Sequence, residues 1–495
     1  MATEIEILQI EEPELEFGGP GTFNDPKEGL KQGGPFDLRF GNARRSQVNV
    51  GFVGSLSMIE AAQGWLRRCE SIIDSGMPNK AQHPYFLGFQ KIFKANLEFN
   101  PVWNHVIPDS DLSDAISLGK KPLVFKKMVG IYSDGFQKLA NLEIVKPDVI
   151  FCCLSDEVVD KCWSVTNEKV KKDDRTKIKK LSAQLSLFTE TRPEDLIEEQ
   201  EEDILVRDFR RALKAQAMHY GIPIQIGTNK LFIDSTKNQD ASIRAWNSSI
   251  ALYYKAGGIP WRLRKERLET CYVGVSFHHL YTTKDVHLVR SCIAQAFSSD
   301  GEGFAIRGVN VPWTKEQGME VHLTEEQTMV LGEKILDEYR YRTGSTPLRV
   351  VLHKSTEFNE AEKKGFYAAL NNVPVVELVH LSPTDFRMVR FGEYPPKRGT
   401  LCIINKSAAY LFTTGYMPEI KTYPGPHVPV PIKVTTDGTD VFQACKDIMA
   451  LTRMNWNTGS VTSGHPVTLS FSRKVGGIMA EYGDAVPPSS FRFYI

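Results

Sequence analysis

Residues Arg207–Gln225 read RDFRRALKAQAMHYGIPIQ. Phe209, Leu213 and Ala217 recur every four residues with Ala212 beside them, which puts them on one apolar stripe of a helix. Arg210 and Lys214 are also four apart, so both cations occupy a neighbouring face. Gly221 stops the helix, and Ile222-Pro223-Ile224-Gln225-Ile226 has the form of a short extended segment. This layout offers an anion two cations and, just beyond them, a side-chain amide. The same spacing also describes a surface helix whose charges face water.

Upstream, Val48–Gly54 is a strand ending in glycine, and Met58, Trp65 and Ile73 mark helical periodicity after it. That opening suggests an α/β layer. No GxGxxG follows, so a Rossmann cofactor site is not expected. Pro147–Leu154 (PDVIFCCL) is mostly apolar, as a buried strand of a parallel sheet should be. Lys169–Asp203 is charge-dense and reads as a loop or an exposed helical excursion. A helix over about 242–255 ends at Gly257-Gly258-Ile259-Pro260, and Lys255 in its last turn complements the helix dipole. Residues 1–45 are rich in Gly and Pro (Gly18-Gly19-Pro20-Gly21, Gly33-Gly34-Pro35) and read as an extended arm rather than a core.

The second half starts near Arg262. Cys271–Phe277 is a β-rich run, a second strand covers about 286–294, and the turn Ser299–Gly303 leads into Phe304-Ala305-Ile306, the pattern of antiparallel hairpins. Thr324 with Gln327 makes a capping box for a helix whose stripe is Leu331, Ile335 and Tyr339. Strands at Leu348–Leu352 and Val375–Leu381 flank a helix capped by Asn359 and Glu362. After the Pro-rich segment Tyr423–Pro431, helices are expected over Phe442–Met454 and from about Leu469 to Met479. Three consecutive strands followed by alternating helices and strands is the pattern of a ribonuclease-H-like α/β domain.

At 495 residues the chain is too long for one ordinary core, so two or three domains are expected. With 41% hydrophobic and 24% charged residues it reads as a soluble globular protein. Sixty basic residues balance sixty acidic ones, which counts against a polyanionic partner. The charges are nevertheless segregated: Lys120-Lys121, Lys126-Lys127, Lys169–Lys172, Lys177–Lys180 and Arg262–Arg267 are basic, and Glu198–Asp203 is acidic. The eight cysteines are scattered apart from Cys152-Cys153 and form no CxxC, so neither a disulfide framework nor a zinc site is suggested. The start is acidic (Glu4, Glu6, Glu11, Glu12) without a signal core, and no apolar run approaches the roughly 20 residues that span a bilayer. A reducing cytoplasm fits best.

Several motifs in order resemble one family. CYVGVSF at Cys271, LRVVLHKSTEF at Leu348, LTRMNWNT at Leu451 and HPVTLSFSRKVGGIM at His465 look like a PIWI domain. FRRALKAQAMHYGIPIQ at Phe209 and YYKAGGIPWRL at Tyr253 look like a MID domain. The chain thus resembles the short prokaryotic Argonautes, built of MID and PIWI without the PAZ and N-terminal domains of full-length members. The implied architecture is α/β throughout: an arm over 1–45, a Rossmann-like MID domain over 46–262 and a ribonuclease-H-like PIWI domain over 263–495.

The resemblance assigns roles. The MID domain of the family holds the phosphorylated 5′ end of a guide strand, and the matching positions here are Arg210, Lys214, Gln225 and Lys255. A terminal phosphate carries close to two negative charges at neutral pH, and such cations give it charge-assisted hydrogen bonds. Family members often carry tyrosine or histidine where Arg210 stands. Their precedent also implies Mg²⁺ between the guide phosphates and the chain's terminal carboxylate, with Gln225 and Ile495 as ligands; carboxylate oxygen suits that ion. The aromatic tail Phe491–Ile495 suits packing into the domain interface.

Cleaving members need converging carboxylates to hold two ions roughly 4 Å apart. At the matching positions this chain has Ser276, Ser355 and Arg473. Glu316 or Glu320 falls near the remaining glutamate position, and one carboxylate does not assemble the site. His278, His279 and His353 are read as structural or solvated rather than as ligands. The expectation is therefore no enzymatic activity of the chain's own. The resemblance implies a guide RNA, a single-stranded DNA target, and an APAZ-containing effector protein (TIR, Sir2-like or nuclease) as heterodimer partner, with oligomerisation on activation left open. The implied function is target sensing in antiviral and plasmid defence. Two alternatives stay open: a guide-directed endonuclease, and a protein-interaction module that binds no nucleic acid.

Overall fold

The computed structural model describes residues 5–166, 206–264, 268–280, 288–297, 303–312, 321–389, 391, 396–422, 428–460, 464–483 and 485–495. The expected excursion at Lys169–Asp203, together with Glu316 and Glu320, lies outside them.

From the start of the chain, β1 (Glu6–Gln9) is followed by β2 (Leu15–Glu16), β3 (Thr22–Phe23) and a helix at Pro26–Gly33. The Asp25 carboxylate caps that helix by accepting from the Lys27 and Glu28 amides. Leu15, Phe17 and Leu30 are fully buried. The expected arm is thus a set of short packed elements. Its glycines misled the composition reading: a Cβ on Gly29 would lie 2.1 Å from the Phe17 ring, so this glycine makes room for a core side chain.

The first layered unit comprises β4 (Gln47–Gly54), β5 (Asn96–Glu98), β6 (Asn104–Val106), β7 (Val149–Cys153), the small pair β8 (Ser164–Thr166) and β9 (Val206–Asp208), and β10 (Ile224–Gly227). β4 pairs in parallel with β5 and β6 on one side and β7 on the other, and β7 pairs in parallel with β10. All five residues of β7 are buried, as a strand with parallel neighbours on both edges requires. Its alternate residues serve two cores. Val149, Phe151 and Cys153 join the helix Leu56–Arg68, while Ile150 and Cys152 join the helices Lys121–Ala140 and Phe209–His219. The Rossmann-like layering expected of this half is present.

In the second half β11 (Arg262–Leu263) pairs with β2, followed by β12 (Thr270–Leu280), β13 (Leu288–Phe297), β14 (Gly303–Pro312), β15 (Arg349–Lys354), β16 (Val375–Ser382), β17 (Thr400–Asn405), β18 (Ala408–Leu411) and β19 (Ile432–Thr436). The sheet order is β14-β13-β12-β15-β16-β19-β18-β17-β1. β12, β13 and β14 run antiparallel, and β12, β15 and β16 run parallel, which is the ribonuclease-H-like arrangement the pattern predicts. The antiparallel extension through β19, β18, β17 and β1 is not predicted, because its strands are short and one follows the Pro-rich segment. The last predicted helix is two, Val467–Ser470 and Ser472–Tyr482.

The tail joins the halves. Phe491, Phe493, Tyr494 and Ile495 are buried in one core with Trp246, Tyr253 and Tyr254 of the first half and Trp456 of the second. No helix among the described residues is long and apolar enough to cross a membrane.

Candidate functional site

The helix Phe209–His219 starts where the Asp208 carboxylate accepts the Arg211 amide at 2.7 Å, and its buried face carries Phe209, Ala212, Leu213 and Ala217. With that face fixed, the two cations four residues apart point elsewhere. The Arg210 guanidinium lies 4.0 Å from the centre of the Trp163 ring. Lys214 Nζ donates to the Tyr494 carbonyl at 3.3 Å. Gly221, at φ +68°, turns the chain out of the helix, and Gln225 follows on β10. Lys255 is the last residue of the helix Ala241–Lys255 and is only 2% exposed. Its Nζ donates to Gln225 Oε1 at 2.5 Å.

Electrostatics tie these contacts into one cluster. Burial lowers the Lys214 pKa, and the positive charges of Arg210, Lys474 and Arg211 lower it further against the opposing Asp208, to about 7. Lys255 is held well below the usual lysine range, first by burial and then by Lys214. The structure therefore brings Lys214, Gln225 and Lys255 together with the tail, and sets Arg210 at the rim against Trp163. Sequence reasoning missed Lys474, although it lies within the SFSRK motif, and it missed Trp163, which carries no motif. Two contacts hold the helix Ser472–Tyr482 against the Phe209–His219 region: Arg207 with Glu481 at 2.7 Å, and His219 stacked on Tyr482 with ring centres 4.0 Å apart.

The second candidate region lies where β12 passes the end of β15. Gly274 and Val275 stand opposite His353 and Lys354 in the parallel pair, so Ser276, inside β12, and Ser355, just past the end of β15, follow in register. Gly274 sits under the helix Val467–Ser470, where a Cβ would come within 1.8 Å of the Thr468 carbonyl. The Ser276 hydroxyl is buried with no hydrogen-bond partner among the described residues. His353 is fully buried, with Nδ1 2.8 Å from Thr468 Oγ1, and its pKa falls to about 3 through burial and then Arg349. Lys354 is paired with Glu362 at 2.5 Å. Arg473 lies on the helix Ser472–Tyr482, but its side chain, like those of His278 and His279, falls outside the description. Among the described residues no group of three or more His, Cys, Asp or Glu is placed to hold a metal ion.

No protein-family model matches the chain, and no curated protein is significantly similar to it. Solved structures do match. The structure of Clostridium butyricum Argonaute bound to a guide DNA and a 19-mer target DNA has a TM-score of 0.59 at 14% identity, covering 99% of this chain and 55% of that one. The crystal structure of Aa-Ago with externally bound siRNA has a TM-score of 0.56 at 13% identity, covering 98% and 56%. The chain spans about half the length of these proteins. At such identities the likeness is one of architecture, and the conclusion it carries is that this chain has an Argonaute-like fold of the MID–PIWI kind.

Proposed function

We propose that the chain is the guide-binding, target-sensing subunit of a defence system resembling those of the short prokaryotic Argonautes. The observation that carries this reading is the convergence of Lys214 and Lys255, from different helices, on Gln225 and the chain's tail. Two enclosed lysines whose burial and mutual repulsion hold down their affinity for protons regain their charge beside an anion, and the 5′-terminal phosphate of a guide RNA supplies nearly two charges. Arg210 closes the rim. The donor set also suits Mg²⁺: Gln225 Oε1 keeps a second lone pair beside the one Lys255 uses, and the Ile495 carboxylate is a hard oxygen ligand. When bound, that ion would screen the phosphates from each other.

At the other region a hydroxyl at Ser276, another at Ser355 and a guanidinium at Arg473 are poor substitutes for metal-binding carboxylates. The chain on this reading does not cut. A single-stranded DNA target pairs with the guide, base pairing supplies the specificity, and an APAZ-containing effector bound to this chain carries the enzymatic response. A Mg²⁺ or Mn²⁺ cleavage assay with a phosphorylated guide is expected to give no discrete product; a defined cut would overturn this part.

The decisive experiment purifies the chain, with and without partner, and sequences the nucleic acid that comes with it. Short RNAs with 5′-phosphates are expected, and their absence would favour a protein-interaction role. Lys214→Ala is expected to reduce the preference for 5′-phosphate over 5′-hydroxyl guides by about tenfold or more. An unchanged preference would remove the assigned site.

A further inference from the structure

The helix Lys121–Ala140 buries one side against the helix Phe209–His219 and turns the other outward. Three features of the outward side work against the helix, and no contact among the described residues offsets them. Lys120 and Lys121 stand at the N-cap and the first helical position, with no acidic residue in the first turn. A cation there opposes the helix dipole. Leu118, in the turn before, and Leu123 are 47% and 50% exposed. Gly130 is exposed in mid-helix, and a Cβ built on it would meet nothing within 4 Å. Alanine would fit there and hold the helix better, so the protein's own packing does not require glycine.

Leu123, Lys126, Lys127 and Gly130 fall at i, i+3, i+4 and i+7, on one stripe of the helix. The ammonium groups of Lys120, Lys121, Lys126 and Lys127 are exposed, and none has a partner among the described residues. Carboxylates stand on the two helices that pack against this one, Asp109–Ser117 and Asp156–Cys162, and they leave these lysines unneutralised. Local rules broken with no internal compensation mark a functional surface.

We propose that this stripe is the docking face for an acidic amphipathic helix of a partner protein, its small or aliphatic side chains resting on Leu123 and Gly130 and its flanking carboxylates meeting the lysines. A helix that crosses at a glycine comes closer than it could over any side chain, and anchors spaced at i, i+3, i+4 and i+7 are how one helix reads another. A nucleic-acid backbone uses the cations but neither the leucines nor the bare glycine. A second copy meeting across a two-fold axis sets lysine against lysine. Lys214, Gln225 and Lys255 take no part in this face, so its failure leaves the guide-end reading untouched.

The probe is a labelled peptide of about 18 residues, long enough to form a helix, with Leu and Ala on one face and Glu on its flanks. It is titrated into the full chain beside a scrambled peptide of the same composition and a single-stranded DNA of similar length. The amphipathic peptide is expected to bind more tightly than either. Lys126→Glu combined with Lys127→Glu is expected to weaken it about tenfold or more, and Leu123→Asp to act in the same direction. Gly130→Leu is expected to weaken binding while leaving the thermal midpoint no lower than that of the unsubstituted chain. Acetylation of Lys126 and Lys127 on the unsubstituted chain, read by mass spectrometry, is expected to slow when the peptide is bound, which tests the face without any substitution. Equal binding of the ordered and scrambled peptides, or binding unaltered by Gly130→Leu, overturns the docked helix. Tighter binding of the DNA that the double charge reversal abolishes assigns the face to nucleic acid and overturns it too. So does self-association of the chain that the same reversal abolishes, or acetylation unchanged by the peptide.

Discussion

Enclosed beside Arg210 and Lys474, the Lys214 ammonium gives up its proton at about pH 7, whereas an unfolded chain holds it to about pH 10.4. Between those values the unfolded state binds the extra proton, so this group makes the free protein more stable as pH rises through that window. Lys255, also lowered, acts in the same sense. Replacing Lys214 with Met is therefore expected to raise the thermal midpoint more at pH 7 than at pH 10, read by scanning calorimetry. A phosphate bound at this site reverses the balance by favouring the charged form. Titrating a 5′-phosphorylated guide at pH 8 in buffers of different ionisation heat is expected to show proton uptake, and Lys214→Met to reduce it. Lys214 and Gln225 were legible because a helix period, a glycine stop and the strand after it fix their placement locally, whereas Lys255, on another helix, was tied to them only by the family resemblance. The Arg210–Trp163 stack was not, since it joins elements that no short-range pattern relates.

Glu362 shows how an element can carry more than its sequence signature. Its spacing from Asn359 predicts a capping box, and the box is present. The same carboxylate also accepts from the Leu323 amide at 2.9 Å and from Lys354 at the end of β15, with His322 Nδ1 3.1 Å away. The pair with Lys354 is almost completely enclosed, so removing one charge strands the other. Glu362→Gln is expected to destabilise the fold by about 3–5 kcal/mol, seen as a lower denaturant midpoint; a loss within that of a surface cap would contradict it. Strands β4, β7, β12, β15 and β16 were legible because each is rich in apolar residues, and β7 and β15 are buried throughout. The extension β17–β19 was not, because its registers depend on partners far away in sequence. Composition failed at 1–45 for a related reason: Gly29 serves packing against Phe17, and a glycine count does not reveal that.

At the scale of the molecule, the two halves are not independent. Trp246, Tyr253 and Tyr254 share one core with Trp456 and the buried tail residues Phe491, Phe493, Tyr494 and Ile495. Glu12 adds a link from the first segment, pairing with both Arg398 at 2.8 Å and Arg453 at 2.5 Å. The chain is accordingly expected to unfold in one calorimetric transition despite its two layered units, and two resolved transitions would show the halves to be separable. The pairing of β1 with β17 sets Ile7 opposite Cys402. During translation, then, Glu6–Gln9 leaves the ribosome long before the strand it needs has been made. Until Thr400–Asn405 follows, the backbone donors and acceptors of this short, largely exposed edge strand have no strand to pair with. This edge of the sheet therefore closes only once partners far apart in the sequence have both been made, and long-range closure of this kind is slow.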